Sequence, residues 1–215
     1  MTLKYDLIVR SIAFESQSIE AKQSQFIERL TDLPPPWGPS SQCTAPDPGR
    51  DLSAIINWAR LFGTGNGIGG NILYQFRRKF EDKATYDDKI MLSFNPRAID
   101  FRDLIDVALP RYIEAFDGYF AEVTNQDFLY IDFDAMRGID RRHDFYRVQP
   151  ISFMRVDFCD RVLKLTPRQI VERLSGKVAV ARELLDGVMI VLTYDILPTE
   201  EMDRLCWKAK AELES

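Results

Sequence analysis

The chain has 215 residues, of which 46% are apolar and 12% aromatic, and its formal net charge is −5. This apolar content excludes intrinsic disorder, and the length suits one large or two small domains. No stretch reaches the ~18–20 consecutive apolar residues of a membrane span, and the N-terminal segment alternates instead of forming a signal-peptide apolar run. We therefore expect a cytoplasmic protein without membrane contact.

The net charge is unevenly distributed along the chain. Residues 1–99 carry 12 basic and 11 acidic groups, whereas residues 100–134 carry 2 and 9. Residues 135–182 carry 11 basic and 5 acidic groups, and residues 183–215 carry 3 and 8. The acidic and basic segments either neutralise each other within the fold or leave an acidic face for a basic partner.

The first elements are a strand, a helix and a long loop. Apolar and polar residues alternate from Lys4 to Arg10, which predicts a strand. Ser18 then caps a predicted helix that ends before the prolines beginning at Pro34. The segment Pro34–Arg50 reads as an extended loop that Trp37 holds against the body.

Helical spacing of apolar residues marks the next region. It predicts a helix over Asp51–Phe62, with Asp51 as cap and Gly63 after its end. After a short strand at Ile90–Phe94, the spacing predicts a long helix from Phe101 to Tyr119, capped by Asp100 and kinked or broken at Pro110. The polar face of this long helix is acidic, with Asp103, Asp106, Glu114 and Asp117.

Two further strands are predicted from aromatic and β-branched content, at Phe128–Phe133 and Ile151–Phe158. Thr166, Pro167 and Gln169 form a capping-box signature for a short helix that Gly176 closes.

The C-terminal region predicts a hairpin and a helix. Val178–Leu185 and Val188–Tyr194 flank the turn dipeptide Asp186-Gly187, and the second of these segments is apolar enough for a central strand. Thr199 then caps a final helix with a buried stripe that includes Cys206. The element order predicts an α+β fold with a mainly antiparallel sheet covered by helices. We expect one compact domain over residues 1–215, with a weak subdivision near 135–150.

Most of the motifs that could belong to a catalytic or ligand-binding site have a simpler structural interpretation. Gly65–Gly70 matches the letters of a dinucleotide fingerprint but follows a predicted helix, so a flexible loop is favoured. His143 is the only histidine, which excludes two-histidine metal sites, and it is expected on a solvated loop. Cys43, Cys159 and Cys206 lack CxxC spacing, which argues against disulfides, zinc and an activated thiol. We predict neither a cofactor nor a catalytic residue.

One enzymatic alternative remains open. Asp132 and Asp134 lie two apart in a predicted strand, so both carboxylates would share one face and could hold a divalent cation. This would suit a metal-dependent nuclease or phosphodiesterase. The cations of residues 135–182 are scattered over several elements, so direct nucleic-acid binding is not expected.

The element order resembles the bacterial polymorphic-toxin immunity proteins of the immunity protein 52 family. The resemblance lies in the N-terminal strand and helix and in four later segments, and it is strongest from about residue 113: Ile113–Phe128, Pro150–Phe158, Leu184–Leu197 and Glu200–Glu214. It implies a non-enzymatic cytoplasmic protein that binds and neutralises one cognate toxin, often a nuclease delivered by contact-dependent systems such as type VI secretion.

An acidic surface would suit such an inhibitor, because it can mimic nucleic-acid phosphates to a basic nuclease cleft and speed association. The candidate partner-binding residues are Asp103, Asp106, Glu114, Asp117, Asp132 and Asp134.

Overall fold

The computed structural model describes residues 3–39, 53–63, 67–77 and 81–215. Within these residues, eight strands form one sheet in the order β2-β3-β4-β1-β5-β6-β8-β7, and every neighbouring pair is antiparallel. The strands are β1 (Tyr5–Ile12), β2 (Ala54–Asn57), β3 (Ile68–Tyr74), β4 (Asp87–Phe94), β5 (Phe120–Asn125), β6 (Ile151–Arg155), β7 (Val180–Leu184) and β8 (Gly187–Val191).

The helices pack on both faces of this sheet, which confirms the predicted α+β class. They are α1 (Ile19–Arg29), α2 (Trp58–Phe62), α3 (Phe101–Asp103), α4 (Leu109–Phe116), α5 (Asp127–Ile131), α6 (Val156–Phe158), α7 (Pro167–Leu174) and α8 (Thr199–Glu214). A π-helical turn, Leu104–Ala108, joins α3 to α4, and a second, Cys159–Leu163, follows α6. Among the described residues, no helix has the length and apolar character needed to cross a bilayer.

The first face of the sheet carries the larger core. Tyr5, Leu7 and Val9 of β1 point to this face and are fully buried, while the residues between them are partly exposed. Residues of α1 and α4, including Phe26 and Tyr112, belong to the same apolar cluster. The alternation read from the sequence therefore identifies a real core face.

The second face is covered only in part. Over β5, β6 and β8, residues such as Phe120, Met154 and Ile190 join a second apolar cluster with α7 and α8. Over β2 and β4 the same face carries exposed apolar residues, including Ile55 and Met91. The half of the second face over β2, β3, β4 and β1 is called the open sheet face below.

Three of the predicted helix caps are confirmed. The Ser18 hydroxyl accepts a hydrogen bond from the Ala21 amide at 3.1 Å, and the Asp100 carboxylate accepts one from the Asp103 amide at 2.9 Å. Thr166 forms the complete capping box of α7 with Gln169. These features depend on residues three apart in sequence, so they form as the sequence predicts.

The predicted helix over Asp51–Phe62 is wrong in its first half. Ala54–Asn57 is an edge strand, and only the last five residues of the prediction, Trp58–Phe62, are helical. Pairing with β3 explains the difference, because it buries Ile56 and leaves Ile55 exposed. Asp51, the predicted cap, lies outside the described residues, and the cap observed is Asn57.

The glycine-rich segment Gly65–Gly70 is also not simply a loop. Ile68, Gly69 and Gly70 begin β3 and pair with β4, while residues 65 and 66 lie outside the described residues. A Cβ atom on Gly70 would lie 2.0 Å from the Met91 carbonyl oxygen, so glycine permits this close strand contact.

The largest error concerns the centre of the sheet. The predicted helix from Phe101 ends at Phe116 and does not reach Tyr119, and Phe120–Asn125 is β5, between β1 and β6. Phe128–Phe133, predicted as a strand, begins inside α5, Asp127–Ile131. The helical backbone continues through Pro110 without a break, because Pro110 occupies the first turn of α4, directly after the π-helical turn Leu104–Ala108.

Three C-terminal boundaries also move. The predicted strand Ile151–Phe158 ends at Arg155, where α6 begins. The hairpin turn lies at Leu185 and Asp186, both with positive φ, while Gly187 already belongs to β8. Thr199, the predicted cap of α8, is instead its first helical residue, and its side chain does not cap the helix.

Candidate interaction surface

The acidic residues at the start of the long helical segment are engaged within the fold. The indole Nε1 of Trp37 donates to Asp103 Oδ2 at 2.6 Å, and the Tyr194 hydroxyl donates to Asp106 Oδ1 at 2.8 Å. Trp37 is buried, which confirms that it holds the start of the proline-rich segment against the body. Asp103 therefore acts as an internal acceptor, and Asp106 is exposed but partnered.

The acidic residues at the other end of this segment lie beside arginines. Arg29 donates to the backbone oxygen of Glu114 at 3.2 Å, and Arg111 lines the same shallow cleft. Asp117 adopts a left-handed conformation and lies 3.5 Å from Arg155. The acidic face is thus partly neutralised by neighbouring cations and is not a uniformly negative surface.

Asp132 and Asp134 occupy different environments, so the predicted shared strand face is wrong. Asp132 is only 3% exposed, follows α5, and lies 2.9 Å from Arg147 Nη1. Asp134 is exposed in the following turn. Burial raises the pKa of Asp132, and the Arg147 charge opposes this. In the described part of the chain, no three His, Cys, Asp or Glu residues are grouped so as to hold a metal ion.

Arg147 organises a buried polar cluster next to α5. Its guanidinium group contacts Asp132 and Asp203, and it stacks over the Phe128 ring at 4.2 Å and the Trp207 ring at 5.0 Å. The Tyr146 hydroxyl lies 3.4 Å from Asp132 Oδ1. This cluster joins α5, α8 and the segment before β6, so Arg147, one of the eleven cations of residues 135–182, has a structural role.

A surface that the sequence did not predict follows Phe128. The side chains of Leu129, Tyr130, Ile131 and Phe133 are 47%, 80%, 59% and 68% exposed. These four residues are called the α5 patch below. Reading the segment as a strand would have buried every second residue, whereas a short surface helix followed by a turn exposes all four. Four large apolar residues within five positions were the available signal.

The α5 patch rests on a well-anchored support. Phe128 is 2% exposed and belongs to the second core. The Asp127 amide donates to Asn125 Oδ1 at 3.0 Å, and the Thr199 hydroxyl donates to Asp127 Oδ2 at 2.7 Å. The Asn125 side-chain amide in turn donates to Thr199 Oγ1 at 3.0 Å. Helix α5 is therefore tied to both β5 and α8.

The sheet separates the six predicted contact residues into groups. The helical segment that bears Asp103, Asp106 and Glu114 packs on the first face through residues such as Leu104. Helix α5 packs on the second face through Phe128, and Asp134 lies near it in sequence. The six residues therefore do not form one continuous surface, and Asp134 is the exposed member nearest in sequence to the α5 patch.

The histidine and the described cysteines are not arranged for nucleophilic chemistry. His143 is exposed, and its Nε2 lies 2.9 Å from the Asp82 backbone oxygen. Cys159 and Cys206 are buried, and burial raises the pKa of each thiol to about 12. Both thiols stay protonated at neutral pH. Cys43 lies outside the described residues.

No protein-family model matches the chain, and no curated protein matches it. The resemblance to the immunity protein 52 family therefore stays a prediction.

Proposed function

We propose that this protein is a non-enzymatic inhibitor: an immunity protein that binds a cognate bacterial toxin, with a nuclease as the expected toxin class. The observation that carries this proposal is the α5 patch. Large apolar residues on the surface of a soluble domain are usually scattered, and a contiguous group of them marks a binding surface.

The exposed side chains of the α5 patch are large enough to supply much of the binding free energy of a tight complex. Tyr130 and Phe133 are the two most exposed members. Aromatic residues are enriched among the few interface residues that dominate affinity, and full burial of such a side chain contributes roughly 1.5–3 kcal/mol. Burial of both rings in a partner's pocket would therefore supply a substantial share of a tight interaction.

The support of the patch favours binding without rearrangement. Asp127 and Asn125 tie the start of α5 to the fold, and Asp132 ties its end through Arg147. A preorganised surface loses less conformational entropy on binding than a flexible loop does. An inhibitor that must meet its toxin quickly gains from such a fixed surface.

Charge near the patch is consistent with a basic partner. Asp134 is exposed directly after Phe133, whereas Asp132 is buried and paired. An acidic group beside apolar anchors suits the basic cleft of a nuclease, where it would steer association. Among the six acidic candidates, Asp134 is therefore the residue that we assign to the partner-binding surface.

The test begins with the toxin domain encoded next to this gene. We expect the purified chain to form a 1:1 complex with it and to block its activity, as measured by titration calorimetry and a toxin activity assay. Tyr130→Ala with Phe133→Ala should abolish tight binding, because both anchors are removed.

Phe14→Ala is the matched control, since Phe14 is 46% exposed but lies outside the patch. Circular dichroism should show that the double variant and the control remain folded. Unchanged affinity in the double variant would reject the α5 patch as the binding surface, and an absence of any complex would reject the proposed function.

A further inference from the structure

We propose that Arg10 and Lys89, on the open sheet face, form a binding site for a small oxyanion of the phosphate class. The two residues are directly opposite each other in the antiparallel pair of β1 and β4. Residues paired in this way project to the same face of the sheet, so two positive charges meet at close range. This inference does not depend on the proposed function.

The neighbouring carboxylates are already occupied by other cations. Asp87 Oδ1 lies 2.7 Å from Arg142 Nη2 and accepts from Arg142 Nε at 2.8 Å, while Asp87 Oδ2 accepts from the Tyr119 hydroxyl at 2.7 Å. Arg142 also reaches the exposed carboxylate of Asp82 at 3.2 Å. Arg10 approaches Asp87 only to 3.6 Å, so it is the most weakly held of the groups around that carboxylate.

The next carboxylate along the sheet is also paired. Glu122 stands opposite Ile8 on β1, next to the Arg10 position, and it lies 3.4 Å from Arg141. The four cations Arg10, Lys89, Arg141 and Arg142 thus face the two buried carboxylates Asp87 and Glu122. Arg141 and Arg142 engage these carboxylates most closely, and Asp82 and Asp140 add negative charge beside Arg142. Arg10 and Lys89 are thus the two cations of this group without a carboxylate at hydrogen-bond distance among the described residues.

The donors of Arg10 are poorly satisfied. Its side chain is 12% exposed, its Nε is buried without a hydrogen-bond partner, and its Nη1 makes one long hydrogen bond of 3.4 Å to the Ala84 oxygen. A guanidinium group has five N–H donors, and burial without acceptors is unfavourable. An oxyanion at this position would accept charge-assisted hydrogen bonds from Arg10.

Lys89 provides the second contact. It is half-buried, and no ion pair or hydrogen bond of its side chain is found in the described residues. Burial and then the nearby charge of Arg10 lower the pKa of Lys89, and the Asp87 carboxylate opposes this in part. The Lys89 side of the site reaches solvent, because Lys89 is only half-buried and Met91 and Asn71 on the adjoining row of the sheet are exposed.

Thermal unfolding at constant ionic strength tests this site, with sodium phosphate exchanged for sodium chloride. Phosphate should raise the Tm of the wild-type protein in a saturable way. Lys89→Met should weaken the apparent phosphate affinity by about tenfold or more, because it removes a charge-assisted contact. Without phosphate, Lys89→Met should unfold at the same or a higher Tm, since the repulsion by Arg10 is relieved.

Lys208→Met is the matched control, because Lys208 is exposed on α8, away from this site. It should retain the wild-type response to phosphate. Sodium acetate in place of phosphate distinguishes a site for a phosphoryl group from one for any carboxylate. Equal Tm shifts in the wild-type protein, Lys89→Met and Lys208→Met would overturn the proposal, as would the absence of a phosphate response in the wild-type protein.

Discussion

The side chains of Asp132 and Arg147 form a buried charge pair, with Oδ2 and Nη1 2.9 Å apart. These two atoms are not aligned as a hydrogen bond, so the contact is mainly electrostatic. Arg147 is 1% exposed and therefore depends on its carboxylate neighbours for charge compensation. The pair holds the end of α5 in place and leaves the α5 patch on the outside.

Removal of this carboxylate should destabilise the protein. We expect Asp132→Asn to lower the free energy of unfolding by about 3 kcal/mol, because Arg147 would keep only Asp203 as an ionic partner. Asp134→Asn is the control and should change it by less than about 0.5 kcal/mol, since Asp134 is exposed. Urea denaturation measures both.

The same pair of variants also addresses the metal-dependent alternative. If Asp132 held a divalent cation, Mg²⁺ or Mn²⁺ should stabilise the wild-type protein but not Asp132→Asn. We expect no such difference, because Asp132 is engaged by Arg147.

Charge reversal of an acidic residue should change the rate of association with the toxin on only one face of the sheet. We expect Asp134→Lys to slow association with the toxin several-fold, since Asp134 lies beside the α5 patch. Asp106→Lys should leave the rate nearly unchanged, because Asp106 bonds to Tyr194 on the first face. Stopped-flow measurements at low and high salt would compare the association rates of the two variants. Equal effects of the two reversals would contradict the assignment of Asp134 to the partner-binding surface.

The stability contributed by Asp140 should be lost in acid. Burial raises its pKa, but hydrogen bonds from the Ala84 and Arg142 amides outweigh this and hold the pKa below its ordinary value of 3.8. A carboxyl group with a lowered pKa in the folded state stabilises the fold above its ordinary pKa, and this contribution disappears as the pH falls through the folded value.

The difference in unfolding free energy between the wild-type protein and Asp140→Asn should therefore be constant from about pH 5 to 7 and shrink below about pH 4. Asp144→Asn, which removes an exposed carboxylate nearby, serves as the control. A difference that grows as the pH falls would contradict the assigned sign. Denaturation at several pH values gives the comparison directly.

The β7–β8 turn offers a stabilising substitution. Leu185 has φ of +47°, a conformation that a leucine side chain disfavours, and it is 37% exposed. Leu185→Asn should raise the free energy of unfolding by about 1 kcal/mol, because asparagine tolerates this turn position. Glu183→Asn, in the exposed strand before the turn, should not stabilise. Thermal and urea unfolding would test both variants.

The sequence predicted the features that depend on residues close in the chain. The caps at Ser18, Asp100 and Thr166 were recognised because the donor and acceptor are three residues apart. The alternation in β1 was recognised because one of its faces is buried. From these features the α+β class followed correctly.

The site was less predictable, since its parts are distant in sequence. The sequence predicts a role for the Asp132 carboxylate, but its partner Arg147 lies in the segment before β6. The incorrect strand prediction placed Asp134 on the same face as Asp132, whereas the segment is helical. The α5 patch was not predicted, because a strand would bury every second residue of this segment. Sequence spacing predicts a shared face only when the secondary structure is right.

By itself, the sequence determined the fold class, the helix caps at Ser18, Asp100 and Thr166, and the uneven distribution of charge. The tertiary structure decided that Phe120–Asn125 is a strand, because β1 and β6 pair with it on both sides. It also decided that the acidic groups lie on opposite faces of the sheet and that the α5 patch faces solvent. Strand pairing and burial are long-range interactions, and they override local propensity wherever the two conflict.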